Sequence, residues 1–252
     1  MTLNFIPSKI GIILQRNNSQ KLKQHIPNAI TSLNLLFGCL SILAALEGNL
    51  TQAALFIGLS AVMDFFDGFV ARLLNVSGEL GKQLDSLADV VSFGVAPGFI
   101  FYGMAGTCFG PDFCINQYTF LLIPIFSAIR LAKFNIDTRQ SDSFIGVPTP
   151  ANAMFISSLP FIVEQNPLGL AEVINHPWFL SVFPVLSAYM LVAELPLLAL
   201  KFKNFSLKGN EARYVLIAGS LISILFFQIA GVALSILLYI LISVVNNYLK
   251  PN

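Results

Sequence analysis

An all-α bundle of membrane-spanning helices is the fold this sequence predicts, and three observations carry the prediction. Hydrophobic residues make up 56% of the chain and charged residues only 11%, with a mean hydropathy of +0.76, far from soluble averages and toward polytopic membrane proteins. The apolar residues come in runs long enough to cross a bilayer, about 20 residues at 1.5 Å each. The charges are also segregated. Threading the runs from a cytoplasmic N-terminus puts all 14 basic residues on the cytoplasmic side, in keeping with the bias of Lys and Arg toward that face, while the opposite loops carry only Glu47, Asp112, Glu164 and Glu172.

The elements follow in order. Residues 1–24 form an N-terminal segment in which Phe5, Ile6, Ile10, Ile12, Ile13 and Leu14 make an apolar stretch. It is too short to span and lacks a signal-peptide cleavage site, so it predicts an interfacial helix on the cytoplasmic leaflet. Eight spans come next, at roughly 27–46, 51–72, 81–104, 117–135, 149–164, 177–200, 214–230 and 232–249. The first opens at Pro27-Asn28, the second ends near Arg72 and the third starts at Gly81. The fourth carries Arg130 and Lys133, and Pro148 and Pro150 start the fifth, because proline suits a first helical turn. Glu194 lies inside the sixth near its cytoplasmic end, where it either lines a cavity or bonds to a neighbouring helix. Residues 25–200 thus form a six-helix membrane domain, and residues 201–252 a cytoplasmic loop and a C-terminal helix pair that returns the chain to the cytoplasm. Cys39, Cys108 and Cys114 read as small apolar fillers; only Cys108 and Cys114, flanking a loop, are placed to pair.

Four acidic residues fall in a pattern: Asp64-x-x-Asp67-Gly68-x-x-Ala71-Arg72, eight residues, then Gly81-x-x-x-Asp85-x-x-x-Asp89. At 100° per residue, Asp64, Asp67 and Ala71 share one helix face, and Gly81, Asp85, Asp89 and Ser92 share a face of the next helix. Two antiparallel helices therefore bring four carboxylates together within about four turns of the cytoplasmic face. Such a group is costly in apolar surroundings unless a cation joins it. Mg2+ is commonly held by a few carboxylates plus substrate phosphates, and a pair of divalent ions is a recurrent device for phosphoryl displacement. A carboxylate at the edge of the cluster suits a general base for an incoming hydroxyl. Gly68 and Gly81 remove side chains where a bulky ligand would approach the backbone, and Arg72 offers a fork for a phosphate oxygen. His25 and His176 stand apart from this set.

Complete at every fixed position, the pattern resembles the signature of the CDP-alcohol phosphatidyltransferases. That resemblance implies a six-helix core that pairs as a homodimer and a site open to the cytoplasm. It also implies two divalent cations, Mg2+ or Mn2+, held by Asp64, Asp67, Asp85 and Asp89, with Asp89 also the general base. Gly68 and Arg72 would contact a CDP-lipid. Pro27-Asn28-x-x-Thr31 is similar to the family's nucleotide-contacting start, so Asn28, Thr31, Gly68, Arg72 and Gly81 make up the expected CDP-lipid site.

Downstream, Ser92-Phe93-Gly94-Val95-Ala96-Pro97, Arg130-Leu131-Ala132-Lys133-Phe134-Asn135 and Gly146-Val147-Pro148-Thr149-Pro150 resemble the phosphatidylserine synthase branch, the likeness covering roughly residues 25–160. This implies CDP-diacylglycerol as donor and L-serine as acceptor, with Ser92, Arg130 and Lys133 as the acceptor site. Ser92 continues the stripe of Asp85 and Asp89, and Arg130 offers a cation for a carboxylate. The chain departs from the expected pattern at Lys133, where a second Arg would supply a fork rather than a point charge. Asn152 either faces the pocket or packs away from it.

Two alternatives stay open. The acceptor is glycerol 3-phosphate or an inositol phosphate if Arg130, Lys133 and Arg139 serve a phosphate. In a different class, the chain is a divalent-cation transporter, although transporters favour carboxylates near mid-bilayer in repeated halves and these lie near one face with no second half. The expected setting is a bacterial inner membrane, with the site and both termini cytoplasmic, membrane lipid as surroundings and no nucleic acid as partner.

Overall fold

A computed structural model describes residues 9–76, 78–106, 118–137, 144–198, 206–207 and 209–249, with only the backbone described for residues 9–22, 144 and 249. It is an all-α bundle. Helix α1 is Lys9–Leu46, α2 Leu50–Leu73, α3 Glu79–Asp89, α4 Ala96–Ala105, α5 Leu122–Ile136, α6 Thr149–Gln165, α7 Leu170–Ile174, α8 Pro177–Val192, α9 Glu211–Phe227 and α10 Gly231–Leu249. A π-helical segment, Val90–Val95, joins α3 to α4 in one rod. Among the described residues, five stretches are long and apolar enough to cross a membrane: Lys23–Leu46, Leu50–Leu73, Glu79–Ala105, Thr119–Ile136 and Glu211–Tyr248, the last being the α9–α10 pair. The chain is an integral membrane protein.

Three boundaries differ from the sequence expectation. The predicted interfacial helix does not stand apart: α1 runs unbroken from Lys9, with Pro27 inside it. The helix predicted to reach residue 200 stops at Val192. Pro196 has no N–H to continue a helical ladder and disfavours helical geometry at Leu195, and Pro196–Leu197 (β2) instead pairs antiparallel with Phe144–Ile145 (β1). Glu194 is therefore outside the helix that was expected to hold it. The last hairpin turns at Gln228, with φ 52° and ψ −130°, and closes so tightly that a Cβ on Gly231 would lie 2.2 Å from the Ser223 carbonyl oxygen.

Small and polar residues let the first helices approach closely, the usual solution where lipid offers no hydrophobic drive between helices. On α1 the buried stripe is Pro27, Thr31, Asn34, Gly38, Ser41 and Ala45, spaced four and three apart as one helix face requires. Ser41 donates to the Ala53 carbonyl at 2.8 Å and Ser60 to the Asn34 carbonyl at 2.9 Å, fixing the antiparallel register of α1 and α2. Deeper in the bundle, Phe93, Ile100, Phe101, Ile123, Ile156 and Leu159 form the fully buried apolar core.

The register of α5 against the α3–α4 rod positions everything downstream. A Cβ on Gly94 would sit 3.0 Å from the Ser127 Cβ, and eight residues along each helix in opposite directions Asn135 donates to the Ser86 hydroxyl at 2.8 Å while Lys82 donates to the Asn135 carbonyl at 3.2 Å. That antiparallel register sets Arg130 and Lys133 at the depth of Asp89.

Candidate active site

The polar stripe of α2 continues from Ser60 through Asp64 to Asp67, and α3 brings Asp85 and Asp89 alongside. Carboxylate oxygens of Asp64, Asp67 and Asp85 all lie within 4.8 Å of one another. Asp64 lies against Asp89 as well as Asp85. The four carboxylates expected from the motif are brought together, but unequally: the tight group holds three, and Asp89, 8% exposed, sits one turn deeper.

Asp89 has a neighbour the sequence reading missed. Asn34, fully buried on α1, donates its side-chain N–H to Asp89 Oδ1 at 3.2 Å. Its backbone carbonyl accepts hydroxyls from Ser60 at 2.9 Å and from Ser92 at 3.0 Å, so α2 and the π segment both hold it in place. The signal was available: Asn34 follows Thr31 by three residues in the membrane-spanning part of α1, and intramembrane polar residues seldom lack a task.

Ser92 is a correction. It was expected beside the acid stripe as an acceptor contact, yet it is fully buried and its hydroxyl is committed to the Asn34 carbonyl. The reason is the π segment. Its i→i+5 bonding adds a residue to the turn, so the 100° count that carried Ser92 onto the stripe fails after Asp89. Gly38 makes room for it: a Cβ there would lie 2.4 Å from Ser92 Oγ.

A cavity of about 930 Å³ opens beside the acids, lined by Asn28, Thr31, Asp67, Gly68, Arg72, Gly81 and Asp85 among others. All five residues expected to bind a CDP-lipid share this wall. Asp64 and Asp89 do not; they lie behind it. The Thr31 hydroxyl donates to the Pro27 carbonyl at 3.0 Å and lies against Asp67. Arg72 bonds back to the Gly68 carbonyl through Nε at 3.0 Å, leaving its remaining N–H groups at the cavity edge. The two glycines have different reasons. A Cβ on Gly68 would meet nothing within 4 Å, so that position is open space, whereas one on Gly81 would lie 3.1 Å from Asn28 Oδ1. Gly81 thus serves helix contact rather than ligand room. His25, expected to stand apart, lines the same cavity.

The donor set fits divalent cations. Three carboxylates converge, and Asp67 Oδ2 is buried with no hydrogen-bond partner, an arrangement that is strongly unfavourable until a cation satisfies it.

Arg130 and Lys133 face a second cavity of about 430 Å³, shared with Ile136, Asp137, Ile145, Leu191, Val192 and Glu194. Arg130 is 6% exposed; its Nε donates to the Val147 carbonyl at 2.5 Å and an Nη to the Gly146 carbonyl at 3.3 Å. Two stretches noted separately in the sequence, around Arg130 and around Gly146, are therefore the two halves of one clasp. Gly146 permits it with φ +75° and a Cβ position 2.6 Å from the Leu191 carbonyl oxygen. Asn152 lies elsewhere: it is buried, with Oδ1 accepting from Ser187 at 2.8 Å across α6 and α8. Arg139, Cys108 and Cys114 fall outside the described residues.

A helical membrane bundle whose second and third helices carry this acid constellation beside a cavity large enough for a nucleotide defines a class, and the family comparison agrees. The CDP-alcohol phosphatidyltransferase profile matches residues 24–201, and the chain belongs to that family. Within it, the chain is similar to a CDP-diacylglycerol–serine O-phosphatidyltransferase of Helicobacter pylori, 37% identical over 194 residues, 76% of this chain and 77% of the relative. It is 40% identical to the Bacillus subtilis protein of the same name over 149 residues, 58% of this chain and 80% of that one. An archaetidylserine synthase of Methanothermobacter thermautotrophicus is 38% identical over 147 residues, 56% of this chain and 60% of that one.

Proposed function

We propose that this protein transfers the phosphatidyl group of CDP-diacylglycerol to the hydroxyl of L-serine, giving phosphatidylserine and CMP. The single observation that carries the reading is the convergence of Asp64, Asp67 and Asp85, the last two in the wall of a cavity large enough for a nucleotide diphosphate. The names of the relatives supply the acceptor. When bound by Asp64, Asp67, Asp85 and Asp89, two divalent cations, Mg2+ or Mn2+, offset the charge of the diphosphate and of the departing CMP.

The chain's own residues do the rest. Asn28, Thr31 and Arg72 line the nucleotide side of the larger cavity, and Gly68 leaves room for the lipid diphosphate to approach the backbone. Arg130 and Lys133 attract the serine carboxylate in the smaller one. Asp89, held through Oδ1 by Asn34, takes the proton of the serine hydroxyl. The serine oxygen then bonds to the phosphorus that carries diacylglycerol, and the bond from that phosphorus to the CMP oxygen breaks, CMP leaving with the electron pair. The apolar helices keep the acyl chains in lipid throughout. The site and both termini face the cytoplasm of a bacterial inner membrane, and the chain works as a homodimer.

Purified full-length protein, given CDP-diacylglycerol and Mg2+ or Mn2+ with radiolabelled serine, glycerol 3-phosphate or inositol phosphate, tests the reading. Label entering lipid with serine and disappearing with chelator is the expected result. Transfer chiefly to a phosphorylated acceptor would overturn serine as substrate, and metal flux into liposomes without any transfer would overturn the enzyme reading.

A further inference from the structure

The smaller cavity holds charges that do not match one another in the usual way. Arg130 and Lys133 line it with Glu194, and among the described residues these three form no ion pair with each other or with any other group. Asp137, also in its wall, is engaged in an interaction of its own. Lys133 and Glu194 are exposed at the mouth, where pairing gains little, and the opposite charges around the cavity stay apart. Arg130 is the more telling, because a guanidinium buried without a carboxylate is costly unless an anion reaches it.

The backbone keeps them apart. Arg130 is seated on the carbonyls of Gly146 and Val147. The same two residues hold the chain around Glu194: the Gly146 N–H donates to the Leu195 carbonyl at 2.9 Å, the Val147 N–H to the Met190 carbonyl at 3.0 Å, and Ile145 pairs with Pro196. One loop thus seats the Arg130 guanidinium on one side of the cavity and holds the backbone that carries the exposed Glu194 side chain on the other. Because Glu194 lies past the end of α8, its position is set by that loop and not by helical periodicity.

We propose that Glu194 selects the acceptor, its carboxylate receiving the acceptor's ammonium while Arg130 and Lys133 take the carboxylate, so that the cavity admits a zwitterionic hydroxy amino acid and turns away acceptors carrying a phosphate. The inference rests on the transfer reaction proposed above and deepens it. An ammonium completes the Glu194 side with a charge-assisted hydrogen bond. A phosphorylated acceptor would meet Arg130 and Lys133 favourably and Glu194 with repulsion, and such a repulsive element is an effective source of discrimination. The apolar remainder of the wall, Ile136, Ile145, Leu191 and Val192, offers nothing to a long polar acceptor.

The test uses the full-length protein in detergent with CDP-diacylglycerol and divalent metal. The acceptors are L-serine, 3-hydroxypropionate, which is serine without its ammonium and is read as acceptor or competitive inhibitor, and glycerol 3-phosphate. In Glu194→Gln the KM for serine should rise by roughly tenfold or more, the range for a lost hydrogen bond to a charged group. The kcat and the KM for CDP-diacylglycerol should stay within about twofold. The preference for serine over 3-hydroxypropionate should fall by the same roughly tenfold factor, and Glu194→Asp should recover part of it. If wild type uses serine and that preference is unchanged in Glu194→Gln, the role of Glu194 is overturned and the transfer reading stands. If wild type prefers glycerol 3-phosphate or transfers to none, the transfer to serine is overturned first and the selection by Glu194 with it.

Discussion

Replacing Ser92 by alanine separates a packing role from a substrate contact. The structure gives this hydroxyl one bond, 3.0 Å to the Asn34 carbonyl, at a site with no exposure. Losing one buried neutral hydrogen bond costs about 0.5–1.5 kcal/mol, and the loss is softened because Ser60 still donates to the same carbonyl at 2.9 Å. For a chain of this length that corresponds to a fall of roughly 1–6 °C in the unfolding midpoint. Ser60→Ala with Ser92→Ala removes both hydroxyls from one acceptor, and the pair should show coupling rather than simple addition. Thermal unfolding in detergent, followed by tryptophan fluorescence or light scattering, measures the stability, and initial rates over a serine series measure KM. Ser92→Ala should lose stability in this range while its KM for serine stays within about twofold, because no substrate contact is removed. A serine KM raised roughly tenfold with unfolding unchanged would refute the argument, since that pattern belongs to a lost contact to bound substrate.

Other expectations follow from the same geometry. Asn34→Ala should lower kcat by about 10–100-fold, the range seen when a hydrogen-bond partner of a working carboxylate is removed, with a small change in KM for CDP-diacylglycerol; a fall in KM terms alone would argue against positioning of Asp89. Asp89→Asn should cost about 10²–10⁴-fold in kcat, the usual contribution of a general base, and wild-type turnover would sink the assignment. Gly68→Ala should hold or slightly raise the unfolding midpoint, since its Cβ meets nothing within 4 Å and alanine suits a helix interior better than glycine, yet raise the KM for CDP-diacylglycerol. Gly38→Ala should instead destabilise by about 1–3 kcal/mol through overpacking against Ser92.

What could be read from the sequence divides along physical lines. Hydropathy located the rods because burial in lipid demands long apolar runs, and it missed the end of α8 because an apolar stretch continues past Val192 while Pro196 silently forbids the ladder. Spacing located Asp64, Asp67 and Asp85 because neighbours three and four apart on regular helices must share a face. It misplaced Ser92 because the rule presumes regular helix, and nothing in Val90–Val95 advertises a wider turn. Asn34 escaped, and Glu194 was left between lining a cavity and bonding to a helix, for a different reason: each acquires its meaning only from a distant segment, Asp89 for one and the Gly146–Val147 loop for the other.

The π segment makes the third rod two phases spliced end to end. Its first half, Glu79–Asp89, is aimed at the acids of α2, and its second, Ala96–Ala105, at the apolar core. Removing one residue between Val90 and Val95 would draw the wide turn back to ordinary helix with the two halves still nearly in phase, because the turn is what absorbs the extra residue. Inserting one would instead rotate one half against the other by about 100°. A substitution scan across this span would therefore report on side chains, whereas a single insertion would report on alignment, swinging Ile100 and Phe101 out of the core or Asp85 and Asp89 off their partners with every side chain still present.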